Sequence, residues 1–141
     1  AIYPAVWGLG QLVTGKLADI LPKKGLLFYG MLLQGICLAL MIWADNFNAY
    51  VALCTGLGIG TALVYPTFLA GIAEYAPPVQ RAKSIGVFRL WRDLGYAIGA
   101  LLTGILADFF GVAVSLGAIA FLTLLSSLII RFRMRREPES V

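Results

Sequence analysis

Long apolar runs separated by short polar segments occupy most of this chain of 141 residues. Residues 25–44, 49–73 and 109–130 contain no charged side chain, and each run matches the ~20 residues that a helix needs to cross ~30 Å of hydrocarbon. The segments 1–19 and 85–107 are also apolar but carry isolated charges. This pattern predicts an all-α, polytopic membrane protein. We expect five membrane-spanning helices near residues 1–21, 25–44, 49–74, 85–107 and 111–130.

Composition agrees with a membrane protein and excludes several kinds of site. Hydrophobic residues make up 60% of the chain and charged residues 13%, whereas about a quarter of the residues in soluble proteins are charged. The chain has no histidine, which removes histidine-ligated metals, histidine general bases and histidine proton relays. Cys37 and Cys54 lie in apolar runs without a CxxC spacing, as buried apolar side chains do. We therefore expect no metal, no cofactor and no enzymatic activity.

The positions of the basic residues predict the topology. Most lysines and arginines flank the turns after helices one and three or follow the last helix: Lys16, Lys23, Lys24, Arg81, Lys83, Arg131, Arg133, Arg135 and Arg136. The opposite turns, near 45–48 and 108–111, contain aspartate and no basic residue. Because basic loops are retained in the cytoplasm, we expect a multi-pass protein of the cell (inner or plasma) membrane with a cytoplasmic C-terminus and a basic tail at 131–141. This placement explains the net charge of +4 better than binding to nucleic acid does.

Proline and glycine in the third helix predict a kink and close packing. Pro66 lies well inside this helix, so we expect a kink near Tyr65, where neighbouring groups cover the carbonyl that loses its partner. The alternate glycines of 56–60 are spaced like part of a nucleotide-binding loop. Thr61 stands where the final glycine of that motif belongs, however, and no strand precedes it. We interpret these glycines as contacts between closely packed helices.

The sequence also contains an internal repeat. Residues 10–19 and 99–108 match at seven of ten positions. By the topology above, the first copy ends a helix that runs inward and the second ends a helix that runs outward. Similar segments in opposite orientation are typical of an inverted-topology repeat; the alternative is a chance likeness between glycine-rich membrane helices. A repeat that pairs helix one with helix four implies three-helix units, and hence a further helix before residue 1.

The turn between the first two helices resembles the signature loop of the major facilitator superfamily. That pattern runs glycine, three residues, aspartate, a basic residue, one residue, glycine and two basic residues. Four positions of the pattern match: Gly15, Asp19, Lys23 and Lys24. Ile20 and Pro22 stand where the pattern has a basic residue and the second glycine. Residues 89–100 also resemble the eleventh helix of bacterial members of this superfamily.

The resemblance implies that the chain is the C-terminal portion of a twelve-helix transporter, helices eight to twelve, with a partial fold of that superfamily. Its partners would be the missing N-terminal half of the same chain, the lipid bilayer and a small-molecule substrate. In the family, an aspartate at the position of Asp19 pairs with the opposing half and holds the inner gate shut. Glu74, at the inner end of helix three, is placed to pair with Lys23 or Lys24. The alternative is that these charges are solvated and only fix the topology.

The predicted fourth helix carries charges at membrane depth. A single stripe of that helix contains Arg89, Arg92, Asp93 and Tyr96. Arg89 and Asp93 have the spacing of a pair that neutralises itself. Charges within a membrane usually face a cavity or a transport path, so we expect this stripe, together with Tyr65, to line a cavity and couple transport. The alternative is a buried ion pair that locks the helix to its neighbours.

Two glycines flank that stripe. Gly95 and Gly99 form a small-xxx-small face, to which another helix can come close. In antiporters of the superfamily a glycine-rich pattern marks the fifth helix, the symmetry mate of the eleventh, and it ends in proline. Ala100 takes the place of that proline here, so the match to the antiporter pattern is incomplete and indicates efflux only weakly.

These expectations favour a secondary active transporter of a small solute. Proton-coupled efflux is the first hypothesis, with Asp93 as the group that binds and releases the proton. An uptake symporter of the same fold is the alternative among transporters. A non-transporting membrane sensor or scaffold is the alternative outside them, although it would have no need of a buried charge stripe.

Overall fold

The structure, a computed structural model, describes residues 1–135 and consists of five α-helices joined by short turns. They are α1 (Ile2–Ile20), α2 (Lys23–Leu40), α3 (Phe47–Tyr75), α4 (Arg81–Phe110) and α5 (Val112–Arg133), with one turn of 3-10 helix at Met41–Trp43 after α2. The described residues contain no β-strand, and the predicted all-α fold is confirmed. The predicted basic tail at 131–141 begins inside α5. Arg136 and the residues after it lie outside the described residues.

Four of these helices are long and apolar enough to cross a membrane. They are α2 with its 3-10 extension (Lys23–Trp43), α3, α4 and α5. α1 does not meet the same criterion, because Gln11, Lys16 and Asp19 lower its mean hydropathy. The polytopic membrane fold is therefore confirmed, and a membrane-spanning position for α1 stays a prediction.

Local sequence explains several helix ends. The side chain of Asn46 caps α3 by accepting a hydrogen bond of 2.8 Å from the N–H three residues later. A turn closed by the hydrogen bond from the N–H of Gln80 to the carbonyl of Pro77 precedes α4, and the helix begins at Arg81 rather than at the predicted residue 85. Gly111 alone separates α4 from α5, with a φ of +90° that residues with a Cβ rarely adopt.

α3 is the centre of the bundle, and glycines allow its closest contacts. α1 and α2 both pack along α3, and α5 packs on α2. A Cβ on Gly60 would lie 2.9 Å from the carbonyl oxygen of Gly30 on α2. A Cβ on Gly58 would lie 3.0 Å from the carbonyl oxygen of Tyr3 on α1. The helix backbones therefore touch at these points, and the interpretation of the glycines of 56–60 as packing contacts is confirmed.

α4 is the least embedded helix. It packs mainly on α5, meets α3 over a small area, and has no buried residue. Leu90 and Trp91 are 60% and 70% exposed, and a membrane helix covers such side chains with lipid or with further helices. The predicted packing glycines Gly95 and Gly99 have open space where a Cβ would stand. No described helix approaches them, so their close contact with another helix stays a prediction.

The two copies of the predicted repeat lie in α1 and α4 and have different surroundings. A Cβ on Gly10 would lie 2.8 Å from the Cβ of Ala62 on α3, whereas Gly99 faces open space. Thr14 donates a hydrogen bond to α3, whereas the equivalent Thr103 donates to carbonyls of its own helix. The inverted-repeat relation between α1 and α4 stays a prediction.

Candidate functional site

α1, α3 and α4 surround an open cavity of about 450 Å³. Its volume lies within the roughly 300–1,000 Å³ of small-molecule sites. α1 contributes most of the lining, α3 one residue and α4 two: Pro4, Trp7, Gly8, Gln11, Tyr65, Arg92 and Tyr96. Apolar and aromatic groups therefore dominate the wall, and a single guanidinium supplies its charge.

Arg92 connects α4 to α3 at this cavity. Its Nη1 donates a hydrogen bond of 2.8 Å to the hydroxyl of Tyr65. Its Nε donates to Oδ1 of Asp93 at 2.9 Å, and Nη2 lies 2.8 Å from the same oxygen. The guanidinium also lies 5.3 Å from the ring centroid of Tyr65 and 6.0 Å from that of Tyr96, within the range of cation–π attraction. The structure thus brings together four of the residues that the sequence analysis selected.

The ion pair on α4 differs from the predicted one. The spacing favoured Arg89 as the partner of Asp93, but Asp93 pairs with its neighbour Arg92. Arg89 is exposed, has no ion pair among the described residues and does not line the cavity. The reason lies on α3, where the hydroxyl and ring of Tyr65 hold the guanidinium of Arg92 in place. Asp93 also lies outside the cavity lining, with its side chain 62% exposed against 25% for that of Arg92.

The contribution of α1 was missed by the sequence analysis. Trp7 stacks on Tyr3 with ring centroids 6.3 Å apart, and meets the ring of Tyr65 edge-on at 6.4 Å. Its Nε1 is buried and has no hydrogen-bond partner among the described residues. Gln11 lies one turn further along α1 and lines the same cavity. A polar amide four residues after an aromatic residue, on one helix face, is the one sequence feature that could have indicated this wall.

A polar cluster holds α1 against the bundle near this wall. The hydroxyl of Thr61 on α3 accepts a hydrogen bond of 3.0 Å from Nε2 of Gln34 on α2. The same hydroxyl lies 3.2 Å from that of Tyr3 on α1. Because three helices meet at one oxygen, the cluster fixes the position of Tyr3 and hence of the indole stacked on it.

Thr14 supports the proline position of α3. Pro66 lies inside α3 beside Tyr65, and its missing N–H leaves the carbonyl of Ala62, four residues earlier, without its helical partner. The hydroxyl of Thr14 on α1 donates to that carbonyl at 2.7 Å, and it lies 3.0 Å from the carbonyl of Gly10 on its own helix. The neighbour expected to cover the freed carbonyl is therefore Thr14. The kink at Pro66 stays a prediction.

The residues of the predicted inner gate lie around the turn between α1 and α2. Nζ of Lys23 and Oε2 of Glu74 form an ion pair at 2.5 Å, which joins the start of α2 to the end of α3. Lys24 and Gly15 are half-buried, and a Cβ on Gly15 would meet nothing within 4 Å. Asp19 is exposed at the end of α1 and has no ion pair among the described residues. Their role as a gate stays a prediction.

Comparison with known proteins places this architecture in a family. The family model described as Major Facilitator Superfamily matches residues 1–141. An uncharacterized MFS-type transporter of Methanocaldococcus jannaschii is 28% identical over 86% of this chain and 31% of its own length. The inner membrane transport protein YnfM of Escherichia coli is 27% identical over 91% of this chain and 31% of its own length. The multidrug resistance protein MdtH of Aeromonas hydrophila is 31% identical over 72% of this chain and 25% of its own length.

The chain spans less than a third of the length of each of these relatives. Because the family model matches all 141 residues, the protein belongs to the major facilitator superfamily.

Proposed function

We propose that this chain forms helices eight to twelve of a twelve-helix secondary active transporter, which moves a small solute across the cell membrane and couples its movement to protons. The cavity between α1, α3 and α4, with the pair Arg92–Asp93 beside it, is the observation that carries the proposal. A charge left in lipid costs about 2.5–3.5 kcal/mol, so a pair on a membrane-spanning helix faces protein or water. The N-terminal half would close the open side of the cavity.

Asp93 is the group that would carry the proton. Its carboxylate accepts a hydrogen bond from Arg92, and Arg92 also donates to Tyr65 on α3. A proton on Asp93 removes the negative charge that attracts Arg92, so the protonation of Asp93 and the position of the Arg92 side chain are linked. The side chain of Asp93 is 62% exposed, which leaves it accessible to water when the two halves are apart.

The direction of transport has two candidates. Efflux in exchange for protons is supported by the similarity to MdtH, which is named a multidrug resistance protein, and by the glycines of 95–99. Uptake together with protons is supported by the geometry of the site. The carboxylate of Asp93 forms an ion pair with the guanidinium of Arg92, which faces the cavity. A proton on Asp93 would weaken this pair and make the guanidinium available to a solute.

The turn between α1 and α2 would close the transporter on its cytoplasmic side. Asp19 is exposed and without an ion pair in the described part of the chain, which suits a contact with the opposing half. The pair of Lys23 and Glu74 has a different role, because both residues belong to this half. It braces α2 against α3 and need not break when the halves separate. The end of α5, with Arg131 and Arg133 in its last turn, would lie in the cytoplasm.

Proton flux in vesicles tests the proposal. The purified full-length transporter is reconstituted into liposomes that contain a pH-sensitive dye, and solutes from a chemically diverse panel are added outside. Exchange makes the lumen more alkaline as the solute enters, whereas symport makes it more acidic. The solute-dependent pH change should disappear in Asp93→Asn, while counterflow of labelled solute persists. Asp45→Asn, the same substitution in an exposed outer turn, should keep the wild-type flux.

Two results would count against the proposal. A normal solute-dependent proton flux in Asp93→Asn would place the coupling elsewhere. A correctly folded protein that moves neither protons nor solute across the whole panel would favour the non-transporting sensor or scaffold.

A further inference from the structure

We infer that the solute is a small organic anion, a carboxylate on an apolar or aromatic body, and that its anionic group binds Arg92 in the cavity. The inference rests on the proposed transport function and names the substrate class of that same site. It follows from the hydrogen-bonding groups, the charges and the shape of the cavity.

The polar groups at the cavity are mostly hydrogen-bond donors. A guanidinium only donates, and the hydroxyl of Tyr65 already accepts from Arg92, so its own hydrogen is left for an acceptor. Nε1 of Trp7 is buried, so the indole N–H is not available to a ligand in the cavity. Gln11 adds an amide that can donate or accept. A ligand that satisfies this wall must bring acceptor oxygens.

The charges favour an anion. Arg92 is the one charged residue in the described cavity lining, and its counterion Asp93 lies outside that lining. Asp93 uses a single oxygen, Oδ1, on Arg92. With Nη1 also bonded to Tyr65, part of the guanidinium's five N–H groups remains for a ligand. Arginine binds carboxylates through two parallel N–H bonds, which this free part can supply.

The rest of the wall fits an apolar body. α1 presents Trp7, with Pro4 and Gly8 beside it, and α4 presents the ring of Tyr96. None of the α1 residues at the cavity ionises, and Tyr65 on α3 and Tyr96 on α4 are the other titratable groups that face Arg92. A flat ring with one carboxylate can therefore lie on aromatic faces while its charge reaches the guanidinium.

The solute binds the N–H groups that Asp93 leaves free, so two carboxylates meet at one guanidinium and compete for its positive charge. A proton on Asp93 weakens its hold on Arg92, so the anion binds more tightly to the protonated protein. By thermodynamic linkage, the proton also binds more tightly when the anion is bound. Proton and anion therefore bind together, which favours symport over exchange.

Calorimetric binding to the purified full-length transporter tests this inference with three probes that share one ring: benzoate, benzamide and benzamidinium. Benzoate should bind at least about tenfold more tightly than the neutral and cationic probes, as expected for a charge-assisted pair. Arg92→Gln should weaken benzoate binding by about tenfold or more. Arg92→Lys should weaken benzoate binding less, because lysine keeps the positive charge and loses only the two parallel N–H bonds of the guanidinium. Asp93→Asn should strengthen it.

Arg81→Gln, the same substitution at the exposed start of α4, should leave benzoate binding unchanged, and gel filtration checks that every variant is folded. Equal binding of the three probes, no binding of benzoate, or wild-type affinity in Arg92→Gln would overturn the inference. Unchanged affinity in Asp93→Asn would overturn the competition between Asp93 and the solute. Binding needs no proton gradient, so the inference can fail while Asp93-dependent proton flux persists. In that case the substrate class is wrong and the proposed transport stands.

Discussion

Replacing Thr14 by valine tests whether α1 stabilises the proline position of α3. Valine keeps the shape of threonine and removes the hydroxyl that donates to the carbonyl of Ala62 at 2.7 Å. Pro66 cannot supply the missing helical N–H, so that carbonyl loses its partner in Thr14→Val. In Pro66→Ala the backbone N–H returns, and the hydroxyl of Thr14 is no longer needed there.

The expected magnitude follows from the burial of this contact. Thr14 is only 8% exposed, and leaving a buried acceptor unpaired costs about 1–3 kcal/mol. Hydrogen bonds between membrane helices average ~0.6 kcal/mol and reach at most ~1.7 kcal/mol. Because Pro66 removes the N–H that would normally pair with this carbonyl, we expect a loss near the upper value, about 1–2 kcal/mol. In the Pro66→Ala background the same substitution should cost close to nothing.

The assay is a double-mutant cycle on the purified full-length transporter. The free energy of unfolding is measured by titration with SDS in mixed micelles, followed by far-UV circular dichroism. Thr123→Val is the matched control, because its hydroxyl donates to a carbonyl within its own helix that also has its backbone partner. If Thr14→Val costs the same with and without Pro66, the two positions are not coupled, and the role assigned to the hydroxyl of Thr14 is wrong.

Three further substitutions probe packing, the inner ion pair and the gate. Gly60→Ala should lower the free energy of unfolding by about 1–3 kcal/mol, because the new Cβ would lie 2.9 Å from the backbone oxygen of Gly30. Gly104→Ala, with nothing within 4 Å, should cause no loss in the same titration, and equal stabilities would contradict the packing argument. Glu74→Gln should change stability by less than about 1 kcal/mol, since the Glu74 side chain is 52% exposed; a larger loss would mean that the brace is stronger than its exposure implies. Asp19→Asn should slow transport in vesicles at an unchanged amount of protein in the membrane, and a wild-type rate would remove this residue from the gate.

The helices could be predicted from the sequence because a membrane helix satisfies its backbone internally and needs one long apolar run. α4 was the helix whose extent differed most, at Arg81–Phe110 against the predicted 85–107. The apolar segment ends near Lys83 and Asp108, whose charged side chains suit the membrane interface. The backbone hydrogen bonds of the helix continue past these residues. The length of an apolar run therefore predicts which part of a helix lies in the hydrocarbon, but it does not predict where the helix begins and ends.

At the site, the sequence identified the unusual residues but not their partners. Arg92 and Asp93 were selected because charges are rare in membrane helices. Which arginine pairs with Asp93 depends on Tyr65, 27 residues before Arg92 and on another helix, and the periodicity of one helix contains no such information. Trp7 was missed because an aromatic residue in an apolar helix is ordinary until its neighbours are known.

The one-residue turn at Gly111 makes α4 a lever. Arg92 stands roughly 28 Å from that turn along the helix axis, at about 1.5 Å per residue. α4 has no buried residue to resist a swing, and its N-terminal part is held to α3 by the contacts of Arg92 with Tyr65 and by the rings of Phe88 and Phe68, whose centroids lie 5.7 Å apart. A tilt of about 5° around Gly111 displaces Arg92 by roughly 2.5 Å over that arm, more than the hydrogen bond to Tyr65 can stretch. A swing too small to alter the packing of α1, α2 and α3 would thus be enough to make or break the contact between the guanidinium of Arg92 and Tyr65.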